Sequence, residues 1–105
     1  WDMSDLDEPI LVKEFYLDSS ASDHNLYIKG NLMYQSNYQA GLRILDITDP
    51  ENPVEVGHFD TAPNADDVKG FGGSWSNYPY FKSGIIAVSS QGEGLYLLRK
   101  REVDL

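Results

Sequence analysis

The stretch with the clearest chemical potential is Ser22-Asp23-His24-Asn25, where an imidazole directly follows a carboxylate. Neutral imidazole suits zinc, iron, copper or nickel, and a neighbouring carboxylate can act as a ligand or orient the ring. A divalent metal is the cofactor this pair would hold, with His24 and Asp23 as its ligands. Three or four ligands are needed for such a centre, and the stretch supplies a single histidine. The plainer alternative has Asp23 and His24 capping the strand that follows and hydrogen-bonding backbone, and it is the favoured one. His58, between Gly57 and Phe59, reads as an exposed strand position. Cysteine is absent, which removes disulfides, thiol catalysis and zinc–thiolate sites together. Ser89-Ser90 has no base nearby in sequence and reads as the end of a strand.

Aromatic side chains supply the second candidate. Phe71, Trp75, Tyr78, Tyr80 and Phe81 crowd the segment from Gly70 to Phe81 together with Gly70, Gly72 and Gly73. Such rings anchor interfaces, so Phe71, Trp75, Tyr78 and Tyr80 are candidate contacts for a glycan or a protein ligand. The competing structural reading buries them as a plug between packed sheets, and it is preferred, although Asn77 and Pro79 suggest that part of the segment is a loop. The glycines form no phosphate loop, because the lysine and following helix of that motif are missing. Asp66-Asp67 further on could offer oxygen ligands or end a loop, and the loop is preferred.

The third candidate is the aspartate-rich phrase Asp46-Ile-Thr-Asp-Pro-Glu-Asn-Pro. Asp46, Asp49 and Glu51 put three oxygen donors close together, as a calcium site would, but the spacing and glycine of an EF-hand are missing. Turn chemistry accounts for the phrase better. Asp46 and Asp49 can accept hydrogen bonds from N–H groups two residues on, Pro50 pre-sets φ in a turn, and Pro53 suits entry into an edge strand. Asp2, Asp5 and Pro9 repeat the arrangement 44 residues earlier, as do Val12 for Val56 and Phe15 for Phe59.

The elements that must position these groups are short strand-like runs separated by turn residues: ILVKEFYL over 10–17, then 25–29, 32–36, 42–47, 53–59, 74–79, 84–89 and 94–99. Lys29-Gly30-Asn31 suits a tight hairpin. No window carries a capped helical periodicity, so the fold class is all-β. A formal charge of −9 argues against nucleic acid and anionic membrane surfaces. No apolar run reaches the roughly 20 residues of a helical membrane span. A chain beginning at Trp1 reads as processed or partial.

A second internal match, Tyr34–Leu45 on Ala87–Leu98, is offset by 53 rather than 44, which places about nine extra residues around Gly70–Phe81. Four strands over such a period mark a propeller blade. Within a single segment spanning 1–105, residues 1–17 then hold the outer strand of a preceding blade and 23–60 a complete blade. Residues 66–99 form a three-stranded last blade, and 100–105 a tail. About two blades cannot close a ring of at least four, so the partners are further blades of the same propeller or other protein chains.

The phrase GLRILDITDPENPVEVGHFDT resembles the LVIVD repeat. With DHNLYIKGNLMYQSNYQAGLRILDI and GSWSNYPYFKSGIIAVSSQGEGLYLLR, the chain resembles the C-terminal part of the choice-of-anchor B family. Leu6 departs from the repeat, standing where the second copy has its turn proline. The resemblance implies a secreted or cell-surface β-propeller whose members use different anchoring devices, with no defined catalytic activity. It also implies His-Asn or His-Asp pairs in other blades, so that several imidazoles could converge near the channel mouth. The leading expectation is an extracellular β-propeller segment used for binding or assembly. The alternative is a metal-binding propeller or metal-dependent enzyme with His24 at the mouth of the central channel.

Overall fold

A computed structural model of the chain describes residues 1–65 and 70–101. Asp66-Asp67 and the end of the tail lie outside the described residues. The described part is all-β, with seven strands: β1 Asn25–Lys29, β2 Leu32–Ser36, β3 Leu42–Asp46, β4 Val54–Phe59, β5 Gly73–Tyr78, β6 Ile85–Gln91 and β7 Gly94–Arg99. They form a four-stranded antiparallel sheet of order β1-β2-β3-β4 and a three-stranded one of order β5-β6-β7. The two do not close into a ring. The strand bounds fall within about two residues of those expected, because each run ends at a residue that turns the chain. Gly30 closes the β1–β2 hairpin with φ 62°, and Gly92 begins the β6–β7 turn with φ 94°.

The sheets pack face to face. Tyr34, Leu42 and Ile44 of the first meet Ile86 and Val88 of the second in one buried cluster. These residues alternate along their strands, as the two-residue side-chain period demands. Buried polar groups tie the same interface together. Asn77 donates through Nδ2 to the Tyr34 carbonyl at 3.1 Å and to Ser36 Oγ at 2.9 Å. Tyr96 Oη donates to the Thr61 carbonyl at 3.2 Å.

Two expectations are corrected. The run over 10–17 forms no ladder: Ile10 exchanges backbone hydrogen bonds with Asp2 in an isolated bridge, and residues 11–17 pair with no described strand. Strand character in sequence gives a ladder only when a partner strand lies alongside, and here Asp2 alone bonds this run, at Ile10. The strand expected over 74–79 is present as β5, but the loop character read from Asn77 is not, since Asn77 lies within that strand. Asn77 and Pro79, the residues that suggested a loop, are both buried. The extra residues of the second unit are divided between the connection into β5 and the longer β5–β6 turn, 79–84, where the first sheet needs only Gly30-Asn31.

The aspartate turns repeat most of their bonds. Asp46 Oδ1 accepts from Thr48 N at 2.9 Å and from Thr48 Oγ1 at 2.6 Å, and Asp2 accepts from Ser4 N and Oγ at the same distances. Asp49 Oδ1 accepts from Glu51 N at 3.0 Å, as Asp5 does from Asp7 N. Pro50 occupies the second position of the turn closed by Asn52 N on the Asp49 carbonyl. Pro53 immediately precedes edge strand β4.

Hydrogen bonds from Thr48, Ser4 and Asn52 hold the carboxyls of Asp46, Asp2 and Asp49 below their ordinary 3.8. A lowered carboxyl contributes its stability above the unfolded value and loses it as pH falls through the folded one. The turns are therefore expected to hold at neutral pH and to loosen only on acidification below about pH 4. Amide exchange at Thr48 and Ser4 tests this: protection independent of pH through that range would contradict it.

Candidate functional site

His24 stands immediately before β1 and reaches across to the second sheet. Its Nδ1 lies 2.6 Å from the Trp75 carbonyl, and since a carbonyl only accepts, this nitrogen carries the hydrogen. The neutral ring then keeps its lone pair on Nε2. The imidazole also packs at a tilt against Trp75, with centroids 4.3 Å apart, and against Tyr38 at 4.6 Å. Tyr38 touches Phe71 at 5.7 Å and Trp75 at 5.9 Å, so four rings from separate parts of the chain form one cluster.

Two irregularities build this cluster. The β5–β6 register shifts between Ser74 and Ser76, leaving Trp75 as the extra residue of a β-bulge. A bulge redirects its side chain, and Trp75 is accordingly 42% exposed although its neighbour Ser74 is buried. Tyr38 is the only described non-glycine residue with positive φ, at 48°. Its N–H donates to the Ser74 carbonyl and its carbonyl accepts from Ser74 N–H, which bridges the two sheets beside the rings. Strain of this kind persists only where the surroundings over-determine it; here two cross-sheet bonds and a buried ring do so.

A cavity of about 320 Å³ opens beside His24. Mostly polar residues line it: Asp23, Asn25, Gln35 and Asn37, with His24 and Leu26. Asn37 is itself buried and donates through Nδ2 to Gln35 Oε1 at 3.0 Å, which fixes both amides. The arrangement therefore sets an exposed indole and imidazole next to a row of amides and a carboxylate. Within the described residues no three His, Asp or Glu side chains converge, so Asp23 and His24 do not by themselves constitute a metal centre.

The remaining aromatic candidates form a second group. Tyr78 meets Tyr80 at 5.4 Å and Phe81 at 4.8 Å, and Tyr80 meets Tyr27 of β1 at 6.0 Å. Tyr80 Oη donates to the Ile28 carbonyl at 2.7 Å, and Lys29 Nζ donates to the Pro79 carbonyl at 3.2 Å. These rings thus help to join the sheets while keeping one face in solvent, with Phe71, Tyr78, Tyr80 and Phe81 all exposed. His58 lies apart from both groups, exposed on β4. Ser90 Oγ donates to Glu93 Oε1, with no imidazole in the bond.

The structure brings His24 and Trp75 into contact across 51 residues of chain. Tyr38, Gln35 and Asn37 complete the site and were not singled out in sequence. No local pattern marks Tyr38 as left-handed; the following Gly41, with φ 77°, was the only sign of an unusual turn.

Residues 22–61 match the model of the LVIVD repeat, a stretch that contains the whole first sheet and His24. The match supports a propeller-like repeat family. No curated protein and no solved structure matches the chain. No helix among the described residues is long and apolar enough to cross a membrane.

Proposed function

We propose that this chain is part of an extracellular, surface-attached β-propeller of the choice-of-anchor B type that works by binding a ligand rather than by converting one. A glycan is the ligand class that suits the site best. A sugar ring presents an apolar face that stacks on indole and a rim of hydroxyls that pair with amides and carboxylates. The observation that carries this reading is the exposed Trp75 ring, packed against His24, which itself lines the cavity with Asp23, Asn25, Gln35 and Asn37. Ligand sites combine such a platform with a few placed polar groups. The extracellular location rests on the family resemblance.

Trp75 supplies its own reporter, because the only other tryptophan is Trp1. In a Trp1→Phe background, titration with soluble oligosaccharides is expected to shift the emission of Trp75. Trp75→Ala should weaken binding roughly 30-fold or more, the loss typical of a central aromatic anchor. Binding that survives Trp75→Ala unchanged, or turnover of the bound sugar, would defeat the proposal.

The metal-binding alternative draws support from one specific feature. Nδ1–H of His24 is held by a carbonyl, the arrangement that orients a histidine to offer Nε2 to a metal. Elemental analysis separates the two readings, since stoichiometric metal lost in His24→Ala would favour the second.

A further inference from the structure

We infer that the cavity beside His24 recognises a primary ammonium group, so that the glycan it takes is one carrying a free amino sugar. This selectivity rests on the ligand-binding reading of the site and adds to it the charge of the ligand. Three hydrogen-bond acceptors on the residues lining the cavity carry it. The Asp23 carboxylate is exposed and makes no hydrogen bond or ion pair among the described residues. His24 gives its Nδ1 hydrogen to the Trp75 carbonyl, so Nε2 keeps its lone pair. Asn37, 2% exposed, donates through Nδ2 to Gln35, which leaves Oδ1 as the end of that amide with no described partner.

The other amide groups of the lining are engaged within the protein. Asn25 Oδ1 accepts from the Leu26 N–H at 2.9 Å, and its Nδ2 donates to Ser76 Oγ at 3.3 Å. Gln35 Oε1 accepts from Asn37, and Gln35 Nε2 donates to the Met33 sulfur at 3.3 Å. This chain of bonds fixes the direction of the Asn37 amide. Turning it over would set its oxygen against Gln35 Oε1, and turning both amides would set Gln35 Oε1 against the Met33 sulfur, acceptor against acceptor in each case. Among the described residues no lysine or arginine lines the cavity. Arg43, opposite Gln35 in the ladder, donates through Nε to the Ala40 carbonyl at 2.8 Å and through Nη1 to Glu55 at 2.9 Å.

An ammonium group matches such a lining, because it has three donors and no acceptor. Its bond to Asp23 is charge-assisted, roughly twice as strong as one between neutral groups. An N-acetylated sugar offers a single N–H and no charge at that point. Acceptors of the site are then left unpaired, and a site built on hydrogen bonds discriminates strongly against a ligand that lacks them. A uronate would meet the Asp23 carboxylate and the field of a chain of net charge −9. Each amide NH2 of the lining has a second hydrogen, which can serve the hydroxyls of the sugar ring.

The test is calorimetric titration of the 105-residue chain with a glucosamine oligosaccharide, with its N-acetylated counterpart, and with 1,4-diaminobutane as an ammonium that is not a sugar. The amino sugar is expected to bind at least about tenfold more tightly than the acetylated one. Asp23→Asn should close most of that gap. The variant removes only one charge from a net of −9, so a general attraction of cations to an acidic chain would hardly respond. Asp23 is exposed and precedes β1, so far-UV circular dichroism should not change. Equal binding of the two sugars, preference for the acetylated one, or a gap that Asp23→Asn leaves intact would overturn the inference while the glycan reading stands. Diamine binding that is lost in Asp23→Asn, with no response to either sugar, would support the ammonium site and defeat the glycan reading. Absence of binding with every ligand would defeat both.

Discussion

Gly73→Ala is expected to remove about 3 kcal/mol or more of stability, a large share of what a single domain holds. Gly73 has φ 89°, and a Cβ there would run into the carbonyl of Tyr38 and the backbone nitrogen of Gln39. Both obstacles are main chain, and Tyr38 is fixed by its two bonds to Ser74, so neither can swing aside. Gly92→Ala is the control. Its φ is 94° but nothing lies within 4 Å of the added carbon, so only the left-handed penalty of about 1–2 kcal/mol applies. Urea unfolding should show a much lower midpoint for Gly73→Ala with the slope unchanged. Equal losses at the two glycines would show that close approach of the backbones at Tyr38 is not what requires Gly73.

Asn77→Asp is expected to cost about 3–5 kcal/mol at neutral pH, more than Asn77→Ala. The Asn77 amide is 5% exposed and gives both described hydrogen bonds from Nδ2, to the Tyr34 carbonyl and to Ser36 Oγ. A carboxylate would turn an acceptor toward the Tyr34 carbonyl and leave a charge buried between the sheets. Burial and the facing carbonyl raise the carboxyl above its ordinary value, because both disfavour the charged form. The penalty is then full above the folded value and shrinks as pH falls toward the unfolded one, where the protonated acid can donate again. Melting temperature of the variant relative to wild type should therefore rise on acidification from pH 7 toward pH 4. This is opposite in sign to the behaviour of the Asp46 and Asp2 turns. A penalty that does not change with pH would mean that residue 77 is hydrated.

Strands and turns were legible because they are written locally. LRILD alternates, Gly-Asn and Gly-Glu turn the chain, and the paired Asp-x-Thr/Ser phrases predict their own hydrogen bonds. The duplication likewise marks a four-stranded and a three-stranded sheet. What sequence could not convey was contact between the units. Whether 10–17 joins a ladder depends on an edge elsewhere, and whether Asn77 ends a strand or fills an interface depends on the Tyr34 carbonyl 43 residues away. The site shows the same division. Asp23, His24 and Trp75 stood out by residue type, but Tyr38 owes its role to a left-handed backbone and to Ser74, which nothing in Asn-Tyr-Gln-Ala-Gly announces.

The separation between local ladders and distant ties has a kinetic consequence. Each sheet is a meander whose strands pair with neighbours in sequence, whereas the described bonds joining the two units span 35 to 52 residues. Closing the long loops costs entropy before those contacts repay it, so the ladders form first and docking comes late. Interactions absent from the rate-limiting step govern how fast a protein comes apart rather than how fast it assembles. The bonds made by Tyr38, His24 and Asn77 are therefore the latch on the native lifetime, and loosening any of them shortens that lifetime while leaving refolding nearly as fast as before.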